Sequence, residues 1–193
     1  MSSRNSKKEL IFKDYPEFIP NLTPREIFEL GSFGGTYWRP ITSRVNGVRK
    51  LQEVHTKQYD FLYDIPDKLM ITPYDKYNKK INKYQVKCGS TLKDWEDKGW
   101  INKKHPYGWV HWYCDFYKGK RSKEEDKRQI GRWSRTAGPK SRFRRRLMNM
   151  ILDKKTKYND FTISPKIRQT LQHWGYQLTS KDLKEYKVIR DIK

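Results

Sequence analysis

The sequence predicts an α+β fold that is mostly helical in its second half. Three observations carry the expectation. Capping residues at Thr23, Thr91, Ser122, Ser141 and Ser164 stand ahead of segments with helical apolar spacing. An Asn46-Gly47 pair between Val45 and Val48 predicts a short strand pair near residues 36–52. Gly138-Pro139 breaks two amphipathic segments, which outlines a helix-turn-helix-like pair near residues 122–155.

Residues 1–9 read as a flexible basic tail, and residues 10–193 as a single compact domain with a basic helical half from about residue 105. Pro16 and Pro20 make residues 11–20 an extended aromatic arm. Thr23, Pro24 and Glu26 then form a capping box with proline at the first helical position, and Gly31 stops that helix. Gly31-Ser-Phe-Gly-Gly35 is a tight turn leading into Thr36-Tyr-Trp-Arg39. Residues 53–87 predict irregular structure with one or two short helices, one near Asp64–Met70. Thr91 and Asp94 cap a short helix that Gly99 ends. Residues 107–117 are the most aromatic stretch, and the recurrence of Trp109, Trp112, Tyr113 and Phe116 favours a buried helix over a buried strand.

Ser122 and Glu125 form the pattern of a capping box before a charged helix that carries Ile130, Trp133 and Ala137 on one face. Phe143, Leu147 and Ile151 predict the buried face of the next helix. Ser164-Pro165 opens another, with Ile167, Leu171 and Trp174 as its apolar stripe, and a last short helix falls near Thr179–Tyr186.

Composition bounds the function. The 193 residues hold 43 Lys or Arg against 22 Asp or Glu, a net charge of +21. Such a surplus repels itself in the compact state and makes sense against a polyanionic partner. Aromatic residues are 15% of the chain, enough to build a core despite an apolar fraction of 35%. Two cysteines exclude a disulfide scaffold. No apolar run approaches the ~20 residues of a membrane span, and Met1–Glu9 lacks the apolar stretch of a secretory signal. An intracellular location, nucleus or cytoplasm, is expected, with no membrane partner and no cofactor.

Residues 118–157 carry 16 Lys or Arg and 4 Asp or Glu, more than half of the whole excess. With Phe143 and Leu147 inward, the segment Arg142-Phe-Arg-Arg-Arg146 turns its arginines outward, beside Arg128, Arg132 and Arg135 of the helix before it. Arg128, Arg132, Arg135, Lys140, Arg142, Arg144, Arg145 and Arg146 are therefore the expected nucleic-acid contacts, because planar guanidinium groups bind phosphate in a bidentate way and stay charged. The competing reading is a solvated basic face. No homeodomain, zinc-finger or zipper signature is complete, so base specificity is not assigned.

Other constellations are weaker. Cys88, His105, His111 and Cys114 supply a zinc donor set by residue type, but the spacing matches no common finger and core thiols with ordinary histidines are favoured. His173 has the chemistry of a general base, although a satisfied core histidine is the commoner role. The glycine turn is not a phosphate loop. Asp60, Asp64, Asp67 and Asp75 are acids that nothing in the sequence orders around a metal.

The blocks Leu30-Gly-Ser-Phe-Gly-Gly-Thr-Tyr-Trp-Arg-Pro-Ile41, Gly108-Trp-Val-His-Trp-Tyr-Cys114, Arg128-Gln-Ile-Gly-Arg-Trp133 and Ala137-Gly-Pro-Lys-Ser-Arg-Phe-Arg144 resemble a functionally uncharacterised family of large DNA viruses, algae and fungi. The resemblance implies a single domain and a viral setting such as a virion or viral factory, and carries no catalytic residues. The leading expectation is a nucleic-acid-binding protein, DNA ahead of RNA, gripping phosphate through the basic helix pair. The alternatives are a nucleic-acid-processing enzyme, nuclease or base-modifying, whose aromatic block lines a base pocket, and a basic structural component of a virion.

Overall fold

A computed structural model of the chain describes residues 3–45, 47, 49–50, 54–71 and 76–192. Its helices, in chain order, are α1 (Pro24–Glu29), α2 (Val54–Gln58), α3 (Leu92–Asp97), α4 (Trp109–Tyr117), α5 (Lys123–Ala137), α6 (Arg142–Asp153), α7 (Pro165–His173) and α8 (Ser180–Asp191). The fold is mostly helical. Its strands are β1 (Ile41–Thr42) and β2 (Arg49–Lys50), which pair antiparallel with Ile41 opposite Lys50. Two isolated bridges, Arg4 with Leu10 and Asn102 with His105, complete the β-structure of the described residues. Among the described residues the β-structure goes no further, and the coarser expectation, a mostly helical chain, is the one that holds. Pairing of two residues on each side is brief, and the tip residues Asn46 and Val48 lie outside the described residues.

The helix at the centre is α4. Every residue from Trp109 to Phe116 except Asp115 is buried, as expected of a helix that is apolar nearly all round. The aromatic arm explains why. Phe18 is fully buried, with its ring centroid 5.1 Å from that of Trp133 and 5.4 Å from that of Phe116. It also lies 5.5 Å from Tyr113 and 5.6 Å from Trp112. Trp112 Nε1 donates to the buried carboxylate of Asp126 at 2.8 Å, which ties α4 to the first turn of α5. On the other side of the core, α5 packs on α6, and α6 packs on α7 and α8.

Several local expectations need correction. Residues 3–9 make contacts with the body of the protein. Arg4 bonds the carbonyls of Lys8 and Asn21 and the carboxylate of Glu26, and Lys7 meets Glu185 at 2.6 Å. The capping boxes form at Thr23/Glu26 and Thr91/Asp94, and another at Thr179/Asp182 starts a helix longer than expected. The one at Ser122/Glu125 does not form. Asp126 accepts from Ser122 N instead, while Glu125 turns to Arg128, Gln129 and Asn102. Ser164 is left-handed, with φ +47, and makes no side-chain cap. Near the expected 64–70 helix there is a 3-10 turn, Asp67–Leu69.

The largest correction is at the start of α6. Leu147 and Ile151 are buried as expected, but Arg144 and Met148 are buried with them, and Phe143 is only half-buried. The spacing of i, i+3, i+4 and i+7 is kept, but an arginine occupies a core position.

Candidate nucleic-acid interface

The eight expected contact residues divide. Arg144 is only 4% exposed and is not available to a ligand. Its guanidinium meets Asp182 at 2.9 Å, stacks 3.8 Å from the centroid of Tyr176 and reaches the carbonyl of Ala137. Asp182 also accepts from the hydroxyls of Tyr176 and Thr179. Arg144 is thus the pin that fastens the end of α5 and the start of α8 to α6. Arg128 is bidentate on the buried carboxylate of Glu125, at 2.8 and 2.9 Å. Glu125 is held below the ordinary glutamate range: burial pushes it up, but the bonds from Arg128 and Gln129 outweigh that.

Arg135, Lys140, Arg142, Arg145 and Arg146 are exposed, and none forms an ion pair among the described residues. They lie on the last turn of α5, the turn after it and the outer face of α6, because the stripe of α6 turns positions 142, 145 and 146 away from the core. Ser141 caps α6 by accepting from Arg144 N at 3.2 Å.

Arg132 is intermediate between these groups and borders an aromatic cleft of about 330 Å³. The guanidinium lies 5.3 Å from the ring centroids of both Trp100 and Trp174. It donates to Gln129 Oε1 and, at 3.3 Å, to the carbonyl of Trp100. Among the described residues no carboxylate forms an ion pair with it. Burial, with Arg128 beside it, pulls Arg132 down to about 10, still protonated at neutral pH. Lys98 approaches the Trp100 ring at 4.9 Å. Trp95, Trp109 and Phe143 add further walls, from α3, α4 and α6 respectively. A smaller hollow of about 220 Å³, reaching Tyr77 and Thr91, adjoins it and shares Phe33, Tyr37, Cys88 and His173.

Cys88 and His173 meet at this boundary, with Sγ 3.8 Å from Nδ1. On the far side of the imidazole, Nε2 is 2.7 Å from the carbonyl oxygen of Ser32. That contact places the proton on Nε2 and leaves Nδ1 to accept from the thiol, and Gln169 Nε2, 3.0 Å from the same ring nitrogen, donates to the Ser32 carbonyl rather than to the ring. Burial lowers His173 to about 4, so the ring is neutral at pH 7. Burial also raises Cys88, with Thr170 and Lys166 opposing it. The pair is a neutral thiol hydrogen-bonded to a neutral base. Phe33 stacks on the imidazole at 4.5 Å. The Ser32 carbonyl also accepts from Gln169 at 2.8 Å and from the Tyr77 hydroxyl. It belongs to the glycine turn, where Gly31 has φ +61 and a Cβ would stand 2.0 Å from the carbonyl oxygen of Ile81. The turn is a scaffold for His173, not a phosphate cradle.

The proposed zinc donors are not brought together, and no group of three or more His, Cys, Asp or Glu among the described residues could hold a metal. Cys88 borders the cleft and Cys114 is in the core. His105 and His111 contact each other edge to face at 5.3 Å, and His105 Nε2 lies 3.4 Å from Asp115. Burial pushes Asp115 up, but bonds from His105, Tyr59 and Lys120 win and hold it well below the usual range. Asp64 pairs with Arg25, and Asp75 lies outside the described residues. No helix among the described residues is long and apolar enough to cross a membrane.

Sequence reasoning missed the cleft. Phe33, the neighbours Trp95 and Trp100, and Trp174 come from three separate segments, and Cys88 is 85 residues from His173. Only the aromatic richness hinted at it. No protein-family model matches the chain, and neither a curated protein nor a solved structure matches it.

Proposed function

We propose that this protein binds nucleic acid, DNA ahead of RNA, through phosphate contacts from the α5–α6 pair in an intracellular setting. The observation that carries the reading is the group of five exposed cations, Arg135, Lys140, Arg142, Arg145 and Arg146, none of which forms an ion pair among the described residues. Cations held by the protein's own carboxylates serve the fold. Cations left in solvent, in a chain of net charge +21, suit a polyanion. In this reading α5, the turn 138–141 and α6 act as a helix-turn-helix-like unit, with α6 against the backbone of the nucleic acid.

The test is a salt series. Five phosphate contacts give a slope of log K against log salt of about −4.5 on duplex DNA, a loss of two to three orders of magnitude between ~50 and ~200 mM. The triple variant R142A/R145A/R146A should flatten the slope by about 3 with the far-ultraviolet circular dichroism unchanged. An unchanged slope removes the helix pair from the interface.

One observation favours a second reading, a nucleic-acid-processing enzyme: the cleft sets Nδ1 of His173 beside the Cys88 thiol. A change in mass or length of an oligonucleotide incubated with wild type but not with C88A would support it. Substrate untouched by both leaves the binding reading alone.

A further inference from the structure

We infer that the aromatic cleft receives one base of the bound strand, so that the nucleic acid met by α5 and α6 is single-stranded or has a nucleotide turned out of its stack. The inference rests on the nucleic-acid reading above and adds what lies beside the phosphates.

Three observations converge. The cleft has the size of a small-molecule site, about 330 Å³. Its walls are ring faces left partly in water: Trp100 is 39% exposed, and Trp95, Phe143 and Trp174 are half-buried. Any base offers a flat π-face to such walls, and stacking is the usual way a protein holds a base outside a duplex.

The second observation is charge. Arg132 is partly buried at the cleft, without an ion pair among the described residues, over Trp100 and Trp174, while Lys98 approaches Trp100 as well. A ligand that is apolar and flat but carries negative charge at its edge matches both features. A nucleotide is such a ligand, with its base between the rings and its phosphate at Arg132 and Lys98. An uncharged aromatic ligand would leave Arg132 without a counter-charge in its partly buried site.

The third observation is continuity. Thr136 and Phe143 border the cleft, and their chain neighbours Arg135 and Arg142 are among the exposed cations. Arg135 also stands one helical turn from Arg132, which lines the cleft, so a strand lying along the exposed cations reaches the cleft mouth. This favours a base within a strand over a free nucleotide.

The experiment compares a mixed-sequence single-stranded oligonucleotide with an abasic oligonucleotide of the same length, and adds a nucleoside monophosphate. The base-bearing strand should bind at least about tenfold more tightly than the abasic one. In W100A and R132Q the ratio of the two affinities should collapse towards one. In R142A/R145A/R146A both affinities should fall by the same factor. A footprint that needs no variant runs in parallel: Cys88 borders the cleft, so the base-bearing strand should slow its alkylation several-fold and the abasic strand should not. Equal affinity for both strands, or equal protection by both, overturns the cleft assignment and leaves the phosphate reading standing. Binding of neither strand while duplex DNA still binds overturns the cleft assignment alone, and binding of none of these three nucleic acids overturns the phosphate reading as well. Binding of the monophosphate alone overturns the strand as the occupant.

Discussion

The two sides of α4 use the same residue types to opposite ends. Towards the arm, Phe18 fills the space among Trp112, Tyr113, Phe116 and Trp133. Towards α7, Trp109 meets Trp174 at 4.9 Å, and the rings beyond border open space. On the closed side every ring is spent on stability. On the open side, part of that stabilisation is left unused. Aromatic content alone does not separate the two cases; what separates them is whether a segment of the chain is delivered to fill the gap.

The strongest test of this contrast removes the filler. Phe18→Ala should destabilise the fold by about 3–5 kcal/mol in urea unfolding, because the surrounding rings cannot collapse onto the hole. A loss under about 1 kcal/mol would mean that the two sides are alike. Next comes Arg144→Ala, expected at about 3 kcal/mol, since it strands the carboxylate of Asp182 in the core. Tyr176 and Thr179 still donate to that carboxylate, which keeps the cost at the lower end. Arg145→Ala should stay within about 0.5 kcal/mol. Similar costs for both would break the division of the arginines into buried and exposed.

Acid gives the third effect. His173 takes its proton near 4 in the folded protein and near 6.5 when unfolded, so the unfolded state binds more protons between those values. Stability should therefore be intact above about 6.5 and decline as the pH falls towards 4, by up to tenfold in the folding constant per pH unit. Comparing wild type with His173→Gln isolates the effect from carboxylates such as Asp115; identical slopes would contradict it. A small effect is expected at the cleft wall as well. Trp100→Ala should cost less than about 1 kcal/mol, because the side chain is partly in water already. A loss like that of Phe18→Ala would show that the cleft is core after all.

Much of the helical content was legible in the sequence because caps and periodicity are local. Thr23 with Glu26 and Thr91 with Asp94 form the boxes their spacing announces. The helix at 109–117 follows from its aromatic spacing. The strand pair at the Asn-Gly turn forms between Ile41–Thr42 and Arg49–Lys50, since Asn-Gly marks a turn without setting how far the pairing runs. Among the contacts, Arg144 was misplaced by the assumption that charge faces water. The stripe through 144, 147, 148 and 151 fits the helical period as well as one through 143, but only the distant Asp182 and Tyr176 make an arginine acceptable there. The cleft was illegible for the same reason: its rings meet only after the whole chain is folded.

The glycine turn at residues 31–35 has a reach beyond its own loop. A single peptide oxygen, that of Ser32, decides which nitrogen of a distant imidazole bears hydrogen, and hence whether the neighbouring sulfur faces a lone pair or a competing donor. Gly31 keeps that oxygen where it is by letting the backbone graze residue 81. An alanine at Gly31 would therefore register in the titration of a histidine and the reactivity of a thiol, neither of which it touches.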